Sequence, residues 1–224
     1  MVTKSGAGES NTLIVLFGGP ERHICDCNAC YISAVNPASV SWRIVLVKIA
    51  AEPTRHRVAV WRELRKVGAL SIGQGAWAIP HVPVFNAGID RATELVERAD
   101  GEIVFLTATG ASEQDASRFA AMFTAAREQE WAEFLADCTK YEAELDKEIR
   151  IEKFTLAELE EEEQSLDRLR RWHRDLRTRD VFGARNAAGA SAALQHCAER
   201  FEDYSERVIN TLHSHSGHDN GHRQ

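Results

Sequence analysis

No run of about 18 consecutive apolar residues occurs in the 224-residue sequence, so no membrane-spanning helix is predicted. No secretory signal is predicted at the N-terminus either. Thr12 to Gly19 is apolar but short, and it lacks a basic leader and a small-residue cleavage pattern. The five cysteines are an odd number, and Cys138 and Cys197 each stand alone. That spacing argues against a disulfide framework and for a reducing, cytoplasmic setting. Catalytic signatures are absent: there is no G-x-S-x-G, no P-loop, no G-x-G-x-x-G and no H-E-x-x-H. No Glu-x-x-His pair occurs in the helical segments, so the acidic run Glu158, Glu160, Glu161, Glu162, Glu163 reads as a solvated face rather than a carboxylate-bridged metal site. His173 and His196 each sit alone on a helix and read as structural or exposed. The expectation is a protein that is not an enzyme and has no cofactor.

The charge is unevenly spread. The formal net charge is −7. Between Trp42 and Gly75, however, seven Lys/Arg (Arg43, Lys48, Arg55, Arg57, Arg62, Arg65, Lys66) face only Glu52 and Glu63, a local +5. The acid lies mostly beyond residue 140. An acidic whole does not exclude an anionic partner for a basic part.

Those basic residues lie in the most strongly patterned stretch of the chain. Ile44-Val45-Leu46-Val47 is a short, β-branched apolar run, as in a buried strand. Pro53 marks a helix entry and Gly68 a left-handed helix exit. Between them, at about 100° per residue, Arg57, Val60, Trp61, Leu64 and Val67 share one side. Trp61 is therefore assigned to the core, and Arg57 lays its stem along the apolar border. Arg55, Arg62 and Lys66 form a stripe on the opposite side. Apolar residues on both sides of Gly73-Gln74-Gly75 predict a hairpin. Asn86 is a plausible N-cap for a second helix carrying Ile89, Ala92, Leu95 and Val96, which Gly101 ends. Glu102 to Thr107 is a last strand. The order β-α-β-β-α-β over 42–110 predicts a ferredoxin-like domain, making the fold class α+β.

From residue 111 to 212 the strand signals stop. Ser112 and Thr155 open helices with capping patterns. Apolar residues recur at helical spacing through Phe119, Trp131, Cys138 and Ile149, then Leu159 to Leu176, then Ala193 to Leu212. The first of these stretches is one long helix or two with a kink. Gly183 and Gly189 bracket a loop before the last. This predicts an antiparallel helical bundle packed on the first domain. Residues 1–41 have no sustained period and read as an irregular leader, disordered or included through an early start assignment. Residues 213–224 read as a low-complexity, mobile His-rich tail.

Candidate sites follow from residue type. Arg55, Arg57, Arg62 and Lys66 are candidates for binding DNA phosphates or a small oxyanion, which guanidinium groups match in geometry. Cys25, Cys27, Cys30, His213, His215, His218 and His222 are weaker metal-ligand candidates. Small ferredoxin-like nucleases carry a metal-binding Asp where the first strand ends. Here that end reads Lys48-Ile49-Ala50, which argues against such chemistry. No helix-turn-helix is evident.

The strand at 42–49, the R-x-R-x-x-x-W-R-x-L-x-x-x-G-A core from Arg55 to Ala69, the G-x-W-x-I-P ending at Pro80, EIVFL, EKFTLAELEEEEQSLDRLRRW and RDVFGA resemble the N-terminal region of the ChrB family of chromate-resistance regulators. The resemblance covers about residues 42 to 212, and Arg55, Arg57, Trp61 and Arg62 match it position by position. It implies a bacterial cytoplasmic transcriptional regulator with operator DNA as partner and chromate as effector. The family's C-terminal chromate-resistance domain has no counterpart in this sequence. The alternative expectation is therefore a homo-oligomeric interaction module that partners a separately encoded chromate-resistance domain.

Overall fold

The computed structural model describes residues 39–218, with side chains through Ser214. Strand β1 (Trp42–Lys48) leads into helix α1 (Thr54–Val67), the hairpin β2 (Leu70–Gly73) and β3 (Ala76–Pro80), a single 3-10 turn (Pro83–Phe85), helix α2 (Asn86–Glu97) and strand β4 (Glu102–Ala108). The sheet order is β2-β3-β1-β4, and every pair is antiparallel. This is the ferredoxin-like arrangement expected from the order of elements. Three long helices follow: α3 (Glu113–Arg150), α4 (Leu156–Arg179) and α5 (Ala187–His218).

Side-chain alternation divides the sheet. Val45 lies opposite Trp77 on β3, and Arg43 opposite Ile79. Val45, Trp77 and Ile79 are buried with Val60, Leu64 and Val67 of α1 and Ile89, Ala92 and Val96 of α2. The other face carries Ile44, Leu46, Val104 and Leu106, with Ile44 opposite Leu106 and Leu46 opposite Val104. Leu46, Val104 and Leu106 are exposed. Among the described residues, only the Trp42 end of that face is covered. There the indole meets Phe119, Phe123 and Phe182 edge-on at 4.6, 5.7 and 6.0 Å between centroids. Such pairs contribute about 0.5–1.5 kcal/mol each beyond their area burial. They tie α3 and the loop after α4 to the sheet.

Beside this aromatic cluster lies an ion-paired clamp. Arg127 on α3 is buried and grips Glu130 with Nε and Nη2, each at 2.8 Å. Arg179 at the end of α4 donates to the same carboxylate at 3.0 Å. Their remaining donors reach the carboxyl end of α1. Arg127 Nη1 donates to the Gly68 carbonyl at 2.8 Å, and Arg179 Nη1 to the Lys66 carbonyl at 2.9 Å. The last carbonyls of a helix lack partners of their own, and here they are satisfied by side chains of the long helices α3 and α4. Gly68 has φ 92°, and a Cβ there would meet Arg179 Cβ at 3.1 Å and Arg127 Nη1 at 3.2 Å. Both its conformation and its close packing require glycine.

The bundle has its own core of Trp131, Phe134, Leu145, Leu166, Leu176, Tyr204 and Val208. Both predicted caps form: Ser112 Oγ accepts from Asp115 N at 3.1 Å, and Thr155 Oγ1 from Glu158 N at 3.3 Å. The loop 180–186 is held by Asp180, which accepts from Trp131 Nε1 at 2.9 Å and from the Gly183 and Ala184 amides. That explains the RDVFGA stretch: Asp180 organises the turn while Val181 and Phe182 enter the sheet-side core. Cys138 and Cys197, far apart in sequence, meet across α3 and α5, with Cys197 Sγ 3.7 Å from the Cys138 carbonyl.

Several local expectations are corrected. Asn86 is not the N-cap of α2. The preceding 3-10 turn already starts the helix, and Asn86 Oδ1 instead accepts from Arg43 Nη1 at 3.2 Å. Helix α2 ends at Glu97, and Gly101 follows a turn containing Asp100 at φ 49°. The segment 113–150 is one helix. Gly189 lies inside α5, which starts at Ala187, so it does not close the loop. The same helix continues to His218, past the expected break at 213.

Two predictions follow from the packing. Replacing Arg127 by alanine leaves Glu130 half-paired and the Gly68 carbonyl without its donor. The expected loss is about 3 kcal/mol, read from the urea midpoint at unchanged slope. A loss under about 1 kcal/mol would show that the clamp does not hold the domains together. The second concerns Glu162, which is buried in the bundle. Burial, followed by Glu144, Glu161, Glu148 and Glu158, pushes its carboxyl up to about 7. The folded-state value lies above the unfolded one, so the folded state is favoured while Glu162 is protonated. That contribution is complete below about pH 4.5 and is lost as pH rises through 7. Glu162→Gln should therefore stabilise the protein by about 1–3 kcal/mol at pH 8 and change little at pH 4.5. Equal effects at both pH values would refute this.

Candidate functional site

The exposed side of α1 carries a stripe of positive charge. Buried Val60, Leu64 and Val67 fix which side faces the sheet. At about 100° per residue, Trp61, Arg65, Val58, Arg62, Arg55 and Lys66 then follow one another around an arc of roughly 140°, and all six are exposed. Among the described residues, Arg55, Arg57, Arg62, Arg65 and Lys66 form no ion pair with a carboxylate. The acid within α1, Glu63, is drawn to the opposite shoulder by Arg91 of α2 at 2.7 Å. The stripe therefore stays uncompensated. The amino end of α1 adds to the positive potential. It has no side-chain cap and no acid in its first turn, which carries Arg55 and Arg57 instead. Cations there oppose the helix dipole, each at a cost of about 0.3–1 kcal/mol.

The structure brings Arg55, Arg62 and Lys66 together as expected and corrects the assignment of Trp61. That indole is 51% exposed. The buried arc of α1 is narrower than the apolar stripe suggests. Val67 and Glu63 engage α2, whereas the Trp61 shoulder overhangs the sheet margin, where no helix among the described residues covers it. The Arg65 guanidinium lies over the Trp61 ring, 5.3 Å from its centroid. Arg57 does run along the apolar border, ending exposed beside Trp61.

Arg65 was missed as a site residue. The i, i+4, i+8 spacing of Arg57, Trp61 and Arg65 is the signal that would have found it. Lys48, at the end of β1, pairs with Glu102 at 3.2 Å on the open surface. Exposed pairs of this kind contribute about 0–1 kcal/mol, so Lys48 remains available to a stronger anion.

The other candidates do not converge. Cys25, Cys27, Cys30 and His222 lie outside the described residues, as does most of the 1–41 leader. His213 is exposed on α5, while His215 and His218 are described only as helix backbone. Among the described residues no group of three or more His, Cys, Asp or Glu side chains is placed to hold a metal ion. His173 is buried against Trp131 and Phe134, with Nε2 3.2 Å from Ser191 Oγ. Burial, then Arg177 and Arg174, holds its imidazole below the ordinary range. His196 is exposed, 2.8 Å from Glu142.

Chemically, the arc offers three guanidinium groups and one ammonium group on a rigid helix about 21 Å long, with an aromatic ring among them. That suits phosphate or oxyanion contacts.

Known proteins now bear on this surface. The family described as "Protein ChrB, N-terminal" matches residues 57–215, which include most of α1, strands β2 to β4, helices α2, α3 and α4 and most of α5. Protein ChrB of Cupriavidus metallidurans is 24% identical over 97 residues, covering 43% of this chain. The aligned segment spans 29% of that protein's own length. No solved structure matches the chain. No helix among the described residues is long and apolar enough to cross a membrane. With well over half of its residues matched, the chain belongs to the ChrB N-terminal family.

Proposed function

We propose that the chain is a non-enzymatic regulatory component of a chromate-resistance system, with α1 as its contact to DNA phosphates. The observation that carries this reading is the uncompensated arc of Arg55, Arg62, Arg65 and Lys66 on a helix fixed at its carboxyl end. Membership of the ChrB N-terminal family supports the link to chromate resistance and regulation. Contacts of this kind position a protein on the duplex without reading its sequence. Chromate, itself a tetrahedral oxyanion, competes for the same cations in this reading and so releases the DNA.

A second reading is an interaction module. The exposed apolar residues Leu46, Val104 and Leu106 on the open sheet face favour it. There the sheet pairs with another chain, such as a separately encoded chromate-resistance domain or a second copy.

The experiment is titration of a labelled duplex from upstream of the protein's own gene over a range of salt, with and without chromate. The expected result is binding that falls steeply with salt. Arg62→Ala with Lys66→Ala should weaken it about tenfold on every sequence and reduce the salt slope by about two. Binding that ignores salt, or a double variant that binds like the parent, refutes the α1 contact. Absence of DNA binding together with a co-purifying partner selects the interaction module.

A further inference from the structure

An open pocket of about 540 Å³ lies under the amino-terminal half of α1, between that helix, the end of β1 and the β2–β3 turn. It is separate from the stripe of Arg55, Arg62 and Lys66, which points away from the sheet. Its floor is the buried indole of Trp77, and its lip is formed by exposed Trp61 and Val58. Two cations stand at the mouth: Arg57, which has no ion pair among the described residues, and Lys48, held only by the exposed contact to Glu102. Gln74 at the hairpin turn supplies an amide.

The pocket is built into the fold. Gly75 closes the hairpin at φ 72°, and a Cβ there would meet the Val47 carbonyl at 2.5 Å. Val47 N donates to Gly75 O at 2.7 Å. That close approach fixes the turn against β1 as one wall.

The lining selects a ligand class. A small inorganic oxyanion wants several converging donors and has no use for two indoles. A neutral apolar molecule has no use for an unpaired guanidinium. An apolar-walled cavity with a few convergent polar groups is the usual form of a small-molecule site. An exposed tryptophan flanked at i−4 and i+4 by arginines is suited to stacking on a flat ring. We infer that this pocket binds a flat aromatic carboxylate, its ring between Trp61 and Trp77 and its carboxylate on Arg57. The site does not depend on the DNA-binding reading, and its test contains no DNA.

The test uses the full chain with 15N-labelled tryptophan. Its five indole N–H signals are followed by NMR during titration with 2-naphthoate, with the Trp61 and Trp77 signals assigned from Trp→Phe variants. The expected result is saturable movement of those two signals, with Trp42, Trp131 and Trp172 unmoved. Arg57→Ala, a surface change that leaves the core intact, should weaken the affinity at least tenfold. Gln74→Trp should abolish it by filling the mouth. Neutral 2-naphthamide should bind at least tenfold more weakly, and sulfate should not move the two signals. Equal binding of the amide overturns the proposal by reducing the site to an apolar patch. Equal effects of sulfate overturn it by making the site one for simple oxyanions. Absence of movement, or movement of the other three indoles, overturns it outright.

Discussion

Two arginines hold the carboxyl end of α1, and the rest of the arrangement depends on that grip. Arg127 and Arg179 share Glu130 and spend their remaining donors on the carbonyls of Gly68 and Lys66. Like charges so close repel unless a carboxylate lies between them, so Glu130 is as necessary as the arginines. The partners of these side chains are backbone atoms of a helix end, so the clamp fixes position as well as contact. Together with the aromatic cluster around Trp42 and Phe123, it makes sheet and bundle one packed body. The rotation of α1 about its axis is thereby set, and with it the direction in which its cations point.

The charges sort themselves around that body. The chain is acidic overall, but the acid is concentrated in the bundle, where Glu144, Glu148, Glu161 and Glu162 crowd one another around a common groove. The second half of α4 carries Arg168, Arg170, Arg171, Arg174 and Arg177, so the bundle presents both signs of charge, while the exposed arc of α1 presents only positive charge. An anionic polymer is attracted by that arc, and the effect reaches only about a Debye length, some 8–10 Å at moderate salt. The neutralisation of Glu63 by Arg91 belongs to the same design. It removes the carboxylate that would otherwise screen the arginines of α1.

What could be read in the sequence was what depends on neighbours along the chain. The β-branched run of β1, the left-handed Gly68, the hairpin at Gly73-Gln74-Gly75 and the caps at Ser112 and Thr155 are settled within a few residues. All appeared where expected. The β-α-β-β-α-β order then left few topologies, and the ferredoxin-like one formed. The failures share a cause. Trp61 lies on the apolar side of α1 by angle alone, but its burial depends on whether a second helix covers that shoulder, and α2 covers the other. Asn86 has the chemistry of an N-cap, yet a turn of 3-10 helix made the cap unnecessary. Gly189 reads as a breaker, although an exposed helical glycine costs only about 1 kcal/mol. Arg127 and Arg179, 52 residues apart, gave no local sign of sharing a carboxylate.

The geometry also constrains how α1 can respond to anything that touches it. Its carboxyl end is clamped and its Val67 side is pressed on Gly88 of α2. Its amino end is free of side-chain caps and overhangs an open pocket. Displacement is therefore cheapest at the amino-terminal half, where Arg55, Arg57 and Trp61 lie, and costliest near Lys66. If the proposed ligand beneath that half tilted the helix about its clamped end, Arg55 would move more than Arg62 and Lys66 least. Such a tilt would change where these cations lie relative to the bundle while leaving their spacing along the helix unchanged. The physical requirement is differential affinity for the two positions, because a ligand shifts an equilibrium only by that difference.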